Sequence, residues 1–353
     1  MKISFLFPGN AKYPCGGNKV VNEYANRLVA DGHDVHIVYA GSLFWQQKTL
    51  YFKLTNIYRF VERLLKGYSC RGWFALDRRV KEHYVLSLNY RHVPKSDVYV
   101  CTSPYTAMYV KDYPTEKKYY FIQGYENWGR VTDEILRNTY HYPLSKIAIS
   151  TWLQRIIKDE EHEECALVPN GFDFNYFHLV TPYEKKDKLR ITMLYHEMER
   201  KDCRCGFEAL KIVKEKHPEL RVNIFGTPAR PESLPEWYDY VQCPDRETHN
   251  RLYDEAAIFI GTSQVEGWGL TVGEAMICGC AVACTNNPGY LEMAKDNETA
   301  LVSPVHDSQR LADNILRLIE DDQLRIRIAR KGHENIQRFT WEESYKKLKK
   351  AIL

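Results

Sequence analysis

The order of apolar segments constrains the fold of this chain more than any other feature of its sequence. Short apolar runs of strand length, such as Ile3–Phe7 and Val35–Ala40, alternate with apolar stripes at helical spacing. The stripe between these two runs ends at Asp31-Gly32, a pair that stops a helix. Further strand-like runs follow in the first half: Val98–Thr102, Tyr119–Ile122 and Ile147–Ser150. This alternation predicts β-α-β units that build a mostly parallel sheet.

The same pattern restarts after Val168-Pro169-Asn170-Gly171, a turn-forming segment in an otherwise patterned chain. The charged, unpatterned segment Thr181–Lys188 that follows predicts a linker-like loop. Strand-like runs then alternate with helical stripes again, at Leu189–Tyr195, Leu220–Gly226, Ala257–Gly261 and Ala281–Thr285. A length of 353 residues suits two domains of ordinary size. We therefore predict an α/β protein with two Rossmann-like domains facing across a cleft, where doubly wound folds bind ligands.

The composition argues against several other classes of protein. Hydrophobic residues make up 44% of the chain and charged residues 27%, which disfavours disorder. The apolar start Ile3–Phe7 is too short for a signal peptide, and no later run approaches the roughly 20 apolar residues of a membrane span. We therefore expect a cytoplasmic protein. The ten cysteines lack the paired spacing of a metal site, so we expect reduced, structural thiols.

Positive charge is concentrated in residues 48–95, which hold 11 Lys and Arg residues against three Asp and Glu. Aromatic residues lie in and beside this stretch: Trp45, Phe52, Tyr58, Phe60, Tyr68, Trp73 and Phe74. The mixture suits an anionic membrane surface or a polyanionic substrate. An ordinary solvated basic face would have the same composition. Nucleic acid is disfavoured as a partner because no recognition module accompanies the basic residues.

The most informative segment, QVEGWGLTVGEAMICG at 264–279, leads from a strand into a helix. Gly269 lets the backbone approach a ligand closely. The free amides of Gly269, Leu270 and Thr271 would then face an anion at the helix N-terminus, where the helix dipole favours negative charge. The spacing therefore predicts a phosphate-binding helix start.

Two carboxylates flank this helix start, Glu266 on the loop and Glu274 within the helix. Glu274 would accept hydrogen bonds from two neighbouring hydroxyls, as on a ribose, and Glu266 would reach a second hydroxylated ring. This arrangement suits a nucleotide-sugar. The structural alternative is that a glutamate early in a helix is favoured by the dipole alone.

Five segments, in order along the chain, resemble the retaining glycosyltransferases of family 4, which have the GT-B fold. The most specific is EGWGLTVGEAMICGCAV, in which seven residues separate Glu266 from Glu274. The other four are GGNKVV at 16–21 with residues 28–35, VPNGFD at 168–173, Arg200-Lys201, and Trp341-Glu342. The resemblance covers nearly the whole chain. It implies GT-B domains at 1–175 and 176–337, and a final helix in 338–353 that crosses back to the first domain.

The resemblance also implies a role for each matching residue. Glu274 would bind the donor ribose, and Glu266 would bind the donor sugar near its anomeric carbon. Lys201 would neutralise the diphosphate, and a fixed cation there would stabilise the charge that develops as the glycosidic bond breaks. Gly17 would bring backbone amides against the same phosphates.

Two positions depart from the family pattern. His196 stands where the family usually has an arginine. Because histidine is charged only part of the time near neutral pH, either the grip on the diphosphate would be weaker or Arg200 would substitute for the missing arginine. Gln123 stands where the family often has a histidine, so Gln123 is the candidate for contact with the donor sugar. Glu126 is the candidate for acceptor contact, and a role in turn chemistry is the structural alternative for both Gln123 and Glu126. Trp128 would line the same rim as a further acceptor contact. Further candidates at a strand end are Ser103 and Tyr105, whereas Asn170 is interpreted as a turn former.

The sequence therefore predicts a retaining glycosyltransferase that moves a sugar from a nucleoside-diphosphate-sugar to a hydroxyl of a glycan or lipid-linked acceptor. No cofactor or metal is expected, because Lys201 and the helix amides would handle the phosphate charge. We expect a cytoplasmic enzyme that docks on the inner membrane face through residues 48–95. The alternatives are a catalytically silent nucleotide-sugar-binding protein, or a sugar phosphorylase or epimerase of the same fold.

Overall fold

The computed structural model describes residues 1–42 and 50–353, so Trp45 and residues 48 and 49 of the basic stretch lie outside the described residues. The chain divides into two compact units. The first comprises Met1–Asn170 and Glu342–Leu353, and the second comprises Gly171–Trp341. Among the described helices, none is both long enough and apolar enough to cross a lipid bilayer.

The first unit is a parallel sheet of seven strands in the order β3-β2-β1-β4-β5-β6-β7. Its strands are β1 (Lys2–Phe7), β2 (Asp34–Ser42), β3 (Lys81–Ser87), β4 (Val98–Cys101), β5 (Lys118–Ile122), β6 (Ser145–Ala148) and β7 (Ala166–Leu167). Its helices are α1 (Gly16–Ala30), α2 (Leu50–Lys66), α3 (Pro104–Val110), α4 (Asp133–Tyr140) and α5 (Thr151–Glu161). The central strands are buried apolar runs, as a parallel sheet covered on both faces requires.

The second unit is a parallel sheet of six strands in the order β10-β9-β8-β11-β12-β13. Its strands are β8 (Asp187–Tyr195), β9 (Arg221–Gly226), β10 (Tyr238–Gln242), β11 (Ala256–Gly261), β12 (Ala281–Thr285) and β13 (Leu301–Ser303). Its helices are α6 (Cys203–Lys216), α7 (Arg246–Glu255), α8 (Leu270–Ile277), α9 (Ser308–Glu320) and α10 (Asp322–Ile336). The last helix of the chain is α11 (Trp341–Ile352). The prediction of two Rossmann-like parallel sheets is confirmed.

The final helix returns to the first unit, as the sequence predicts. The Tyr24 hydroxyl lies 2.7 Å from the Ser344 hydroxyl, and both side chains are buried. Tyr345 and Lys349 donate to the Asp31 carboxylate at 2.8 and 2.7 Å. These contacts tie α11 to α1 and to the turn that follows it.

The boundary between the units lies at Asn170 and Gly171, and again at Trp341 and Glu342. The sequence placed these boundaries at 175 and 337. Residues 171–175 belong with the second unit because the Phe172 N–H donates to the Phe339 carbonyl at 2.9 Å. A Cβ on Gly171 would collide with the backbone of Trp341, so the two chain segments run close together here.

The linker-like loop predicted at Thr181–Lys188 is wrong only at its end, because β8 begins at Asp187. Lys186, just before this strand, is buried, with 5% of its surface exposed. The Lys186 ammonium donates to the carbonyls of Tyr253, Asp254 and Ala256, and it lies 3.7 Å from the Asp254 carboxylate. A buried ammonium needs such partners, so this lysine fastens the segment to the end of α7.

Candidate active site

The helix α8 begins at Leu270, where the sequence predicts a phosphate-binding helix start. Its N-cap, Gly269, has φ +104°, a left-handed conformation that other residues adopt only with strain. A Cβ at this position would also lie 2.6 Å from the Tyr290 ring. Within the part of the chain that the structure describes, no side chain caps α8 and its first turn carries no acidic residue. The first amides of α8 are therefore left to bind an anion.

Lys201 and Glu266 form an ion pair beside this helix start. Lys201 ends a short 3-10 helix, Glu199–Lys201, after β8, whereas Glu266 lies on the loop between β11 and α8. The Lys201 ammonium donates to the Glu266 carboxylate, and the side chains are 17% and 15% exposed. Lys201 and Thr271 also line one cavity of about 10 Å³, which brings the cation and the helix start together.

Glu266 is held in its ionised form. Burial opposes its ionisation, but the charge of Lys201, together with hydrogen bonds from Lys201 and from Ser263 at 2.7 Å, outweighs that effect. The pKa of the Glu266 carboxyl therefore lies below its ordinary value. An ionised carboxylate accepts hydrogen bonds only, which suits it to bind sugar hydroxyls.

The loop that carries Glu266 rests on the segment after β12. Tyr290 is fully buried and donates through its hydroxyl to Ser263 at 3.0 Å. Thr285 and Asn287 donate to the Ser263 carbonyl at 2.6 and 3.0 Å. A Cβ on Gly289 would collide with the Glu266 backbone, so glycine permits the close approach.

Sequence reasoning missed both Ser263 and Tyr290 as site residues. The turn-forming sequence Asn287-Pro288-Gly289 was the only local signal that a loop with special geometry lies here. Nothing in the spacing showed that this loop contacts Glu266, because Tyr290 and Ser263 are 27 residues apart.

Glu274 lies in the fifth position of α8 and is 4% exposed. It accepts a hydrogen bond from the Tyr253 hydroxyl at 3.3 Å. Tyr253 packs against Phe225 and His249, with ring centroids 5.3 Å away in each case. Burial, followed by the charge of Glu274, raises the pKa of Tyr253 well above its ordinary value, so Tyr253 stays a hydrogen-bond donor. Aromatic rings therefore border the Glu274 carboxylate.

His196 is not a permanent cation in this structure. The His196 ring accepts the Met198 backbone N–H at Nδ1, at 3.0 Å. The backbone N–H of His196 donates to the Cys203 sulfur at 3.3 Å. Burial, and then the charges of Lys201 and Arg200, lower the pKa of His196 below its ordinary value. His196 is therefore neutral near pH 7, and the positive charge at this loop comes from Arg200 and Lys201.

In the first unit, the predicted residues Gly17 and Gln123 lie together. Gly17 is the second residue of α1, and a Cβ there would lie 3.2 Å from Gln123 Nε2 and 3.3 Å from Gln123 Oε1. Gln123 follows β5, and its Oε1 is buried without a hydrogen-bond partner among the described residues. The α1 N-terminus likewise has no side-chain cap from Cys15.

The remaining candidates of the first unit differ in exposure and in hydrogen bonding. Trp128 is 43% exposed, whereas Glu126 is half-buried. The Ser103 side chain accepts the Thr106 N–H at 3.3 Å as the N-cap of α3, so its role is structural. The Tyr105 hydroxyl accepts the Arg130 N–H at 3.1 Å, and Asn170 is buried at the boundary of the units.

Comparison with known proteins finds a matching family model within the second unit. Residues 182–335 match the family model described as "Glycosyl transferases group 1". The phosphatidyl-myo-inositol mannosyltransferase of Mycolicibacterium smegmatis is 22% identical over 217 residues, which are 59% of this chain and 56% of that protein. Sucrose-phosphate synthase 4 of Arabidopsis thaliana is 34% identical over 86 residues, which are 24% of this chain and 8% of that protein. The chain thus matches about half of the length of the mannosyltransferase and a small part of the sucrose-phosphate synthase.

Solved structures match the fold over nearly the whole chain. HepE of Anabaena, solved in complex with UDP and glucose, has a TM-score of 0.74 at 16% identity and covers 99% of this chain and 98% of its own. Sucrose-phosphate synthase of Thermosynechococcus elongatus has a TM-score of 0.70 at 16% identity, with 99% and 97% covered. The predicted GT-B fold is therefore confirmed. This chain has the GT-B fold, and within its second unit residues 182–335 match the model of the group 1 glycosyl transferases.

Proposed function

We propose that the protein transfers a sugar from a nucleoside-diphosphate-sugar to a hydroxyl of a glycan or lipid-linked acceptor. One observation carries the proposal: the Lys201–Glu266 ion pair lies beside the uncapped start of α8, within the residues matched by the family model. A cation and helix amides suit a diphosphate, and an ionised carboxylate suits a sugar. These groups together fit the two parts of a nucleotide-sugar.

In this proposal, Lys201 and the amides of Gly269, Leu270 and Thr271 bind the diphosphate. A lysine ammonium has three donors, so Lys201 can keep its bond to Glu266 and still donate to a phosphate oxygen. The diphosphate gains negative charge as the glycosidic bond breaks. Groups fixed against that charge therefore stabilise the transition state more than the bound substrate.

The carboxylates orient the two ring systems of the donor. Glu266, ionised and fixed by Ser263, accepts hydrogen bonds from the donor sugar. Glu274 accepts from the ribose, beside the Tyr253 hydroxyl that already donates to it. His196 and Arg200 border the diphosphate, with Arg200 as the permanent charge. Gly17 and Gln123 remain predicted donor contacts of the first unit, and Glu126 and Trp128 predicted acceptor contacts.

We further propose that transfer proceeds with retention at the anomeric carbon and needs no metal ion. The leaving diphosphate oxygen takes the proton of the acceptor hydroxyl as the new glycosidic bond forms on the same face. The protein then supplies positioning and electrostatic stabilisation rather than a general base. NMR of the product in the presence of a chelator tests both statements. An inverted product, or activity lost to the chelator and restored by a divalent ion, contradicts them.

Turnover is the test of the proposed function. The purified protein is incubated with a panel of nucleotide-sugars and glycan acceptors, and release of nucleoside diphosphate is measured. We expect release that requires the acceptor. Lys201→Ala and Glu266→Ala should each lower this release by about 100-fold or more while the fold is retained. Release that requires inorganic phosphate instead would indicate a phosphorylase, and sugar isomerisation without release would indicate an epimerase.

A second candidate function is a catalytically silent nucleotide-sugar-binding protein. It is favoured by the neutral His196 and by Gln123, which stand at the two positions that depart from the family pattern. Saturable binding of a nucleotide-sugar without any turnover across the acceptor panel would support this candidate. Measured turnover would exclude the catalytically silent binding protein.

We also propose that the acceptor is met at an anionic membrane surface on the cytoplasmic side. The support is the basic and aromatic stretch at 48–95, which belongs to the first unit. Arg59, Arg63 and Lys66 are exposed within its described part. A lipid-linked acceptor would then be concentrated where the protein docks.

A further inference from the structure

The helix α2 presents an apolar face to solvent. Its exposed large side chains are Leu54 (58%), Ile57 (47%), Tyr58 (67%), Val61 (46%), Leu64 (47%) and Leu65 (81%). They are six of the 14 exposed large hydrophobic residues among those described, within a single 17-residue helix. Scattered apolar residues on a surface are ordinary, but a concentration of this kind marks an interaction site.

The exposed residues lie on one side of α2. Side chains three, four, seven and eleven residues apart align along one side of a helix. Counted from Leu54, these positions are Ile57, Tyr58, Val61 and Leu65. In a surface helix of a globular protein this stripe normally faces the core. Here it faces outward, and we refer to it together with Leu64 as the outer ridge.

A different side chain attaches α2 to the sheet. The half-buried Phe60 ring stacks on Tyr84 of β3, with centroids 4.9 Å apart and ring planes within 2°. Phe60 also reaches β2, because a Cβ on Gly41 would lie 2.6 Å from its Cδ2. The outer ridge is therefore not needed to hold the helix on the sheet.

The polar part of α2 is basic. Arg59, Arg63 and Lys66 are exposed, and Lys53 adds a fourth cation to the sequence of the helix. Glu62 is its only acidic residue, and Lys66 neutralises it at 2.7 Å. A helix with an apolar stripe and a basic polar side has the composition of helices that lie in the interface of an anionic bilayer.

We propose that α2 is an in-plane membrane helix that docks this protein on an anionic lipid bilayer. The outer ridge enters the boundary between headgroups and acyl chains, and Arg59 and Lys66 contact lipid phosphates or extend to the headgroups through their long stems, whereas Arg63 hydrogen-bonds to Tyr84 of the sheet. The charge of α2 favours this occupant over a second copy of the chain, because the copy would bring the same cations to the contact. The inference deepens the proposed function, on which it rests, by assigning the membrane contact to one helix.

Vesicle flotation tests the proposal without any enzyme assay. The wild-type protein is mixed with vesicles of phosphatidylcholine alone, or with about 30% phosphatidylglycerol added. We expect flotation with the anionic vesicles only, and release as salt rises from about 0.1 M to about 1 M, where the Debye length falls from about 10 Å to about 3 Å.

Two double variants separate the apolar and electrostatic contributions. Leu54→Ser with Leu65→Ser is expected to weaken vesicle binding at least about tenfold, because the exposed leucines no longer leave water on docking. Its matched control is Val180→Ser with Leu353→Ser, since Val180 and Leu353 are also exposed, at 63% and 42% respectively. Arg59→Glu with Lys66→Glu is expected to abolish flotation. The control Arg310→Glu with Lys331→Glu, which also replaces one exposed arginine and one exposed lysine, is expected to retain it.

Each outcome decides the proposal. Flotation that is absent in the wild type, indifferent to lipid charge, or unchanged in both α2 variants overturns it, provided circular dichroism shows that the variants fold. Self-association of the wild type that Leu54→Ser with Leu65→Ser abolishes, without vesicle binding, would assign the outer ridge to a second copy instead. Transfer to a water-soluble acceptor in the absence of vesicles is measured separately. The proposed function can therefore fail or succeed independently of docking.

Discussion

Two helix starts in this protein, those of α8 and α1, are built from similar sequences but are held differently. Glycine lies at both starts, as the first residue Gly16 of α1 and as the N-cap Gly269 of α8, and neither N-cap residue makes a side-chain cap. At α8, the left-handed Gly269, the buried Tyr290 and the Lys201–Glu266 pair fix the backbone and its charge. At α1, Gly17 faces only the flexible amide of Gln123.

Under the proposed function, we therefore expect the donor contacts of the second unit to be pre-formed and those of the first unit to be adaptable. A site with fixed charge stabilises a transition state without reorganisation, which suits the diphosphate that every donor shares. A side-chain amide with a buried, unpartnered oxygen can rotate to suit a particular sugar. The comparison therefore predicts that changes around α8 have larger effects than changes around α1.

The largest effect is expected from Lys201→Ala, which removes the fixed cation. We expect kcat to fall about 100- to 1,000-fold, as when a charge-stabilising group is removed from a transition state. The nucleoside-diphosphate release assay measures this fall. Lys201→Arg keeps the charge and should recover part of the rate. Equal rates for Lys201→Ala and the wild type would show that the fixed charge at α8 has no part in the reaction.

The next effect is structural and compares the two glycines directly. Gly269→Ala should destabilise the protein by about 1–3 kcal/mol, because alanine is strained at a positive φ and its Cβ would meet the Tyr290 ring. Gly17→Ala should change stability by no more than about 1 kcal/mol, since helix propensity favours alanine and the Gln123 side chain can move. Denaturant midpoints measure both. Similar midpoints for the two variants would contradict the view that the start of α8 is fixed and the start of α1 is adaptable.

A smaller effect concerns pH. The pKa of Glu266 is lowered in the folded protein, so the ionised form, and the stability it contributes, is lost as pH falls through that lowered pKa. Ser263→Ala removes one hydrogen bond to the carboxylate and should raise the acid limb of the kcat/KM profile by about one pH unit or less. A limb that moves to lower pH in this variant would be inconsistent with an ionised Glu266.

The smallest effect is expected at His196. Burial and the neighbouring cations keep it neutral near pH 7, so His196→Asn should leave KM for the donor within about twofold at that pH. The control is His196→Arg, which adds a permanent charge and should lower KM. A large loss of donor binding in His196→Asn would mean that the histidine is charged in the complex.

Local features of the site could be predicted from the sequence. The start of α8 at Leu270 follows from glycine and an apolar helical stripe within a few residues, and both signals act locally. The alternation of strands and helices likewise predicted both parallel sheets, because each segment carries its own periodicity.

Contacts between distant segments could not be predicted in the same way. Ser263 and Tyr290 come together through a loop after β12, and Lys186 lies in a segment predicted as a charged loop although it bonds carbonyls about 70 residues away. The periodicity of α2 predicts an apolar stripe, but only the packing of Phe60 on Tyr84 shows that the stripe faces outward. Long-range packing decides such cases, and one sequence does not contain it as a local pattern.

The most direct test of the central claim is calorimetric titration of the protein with uridine, guanosine, adenosine and thymidine diphosphates. For the nucleotide that binds, Lys201→Ala should weaken affinity about tenfold or more, since a hydrogen bond to a charged group contributes about 1.5–3 kcal/mol. Arg204→Ala is the matched control, because Arg204 is a nearby cation at the start of α6 whose side chain is 89% exposed. Equal affinity in the wild type and Lys201→Ala would contradict the assignment of the diphosphate to the start of α8.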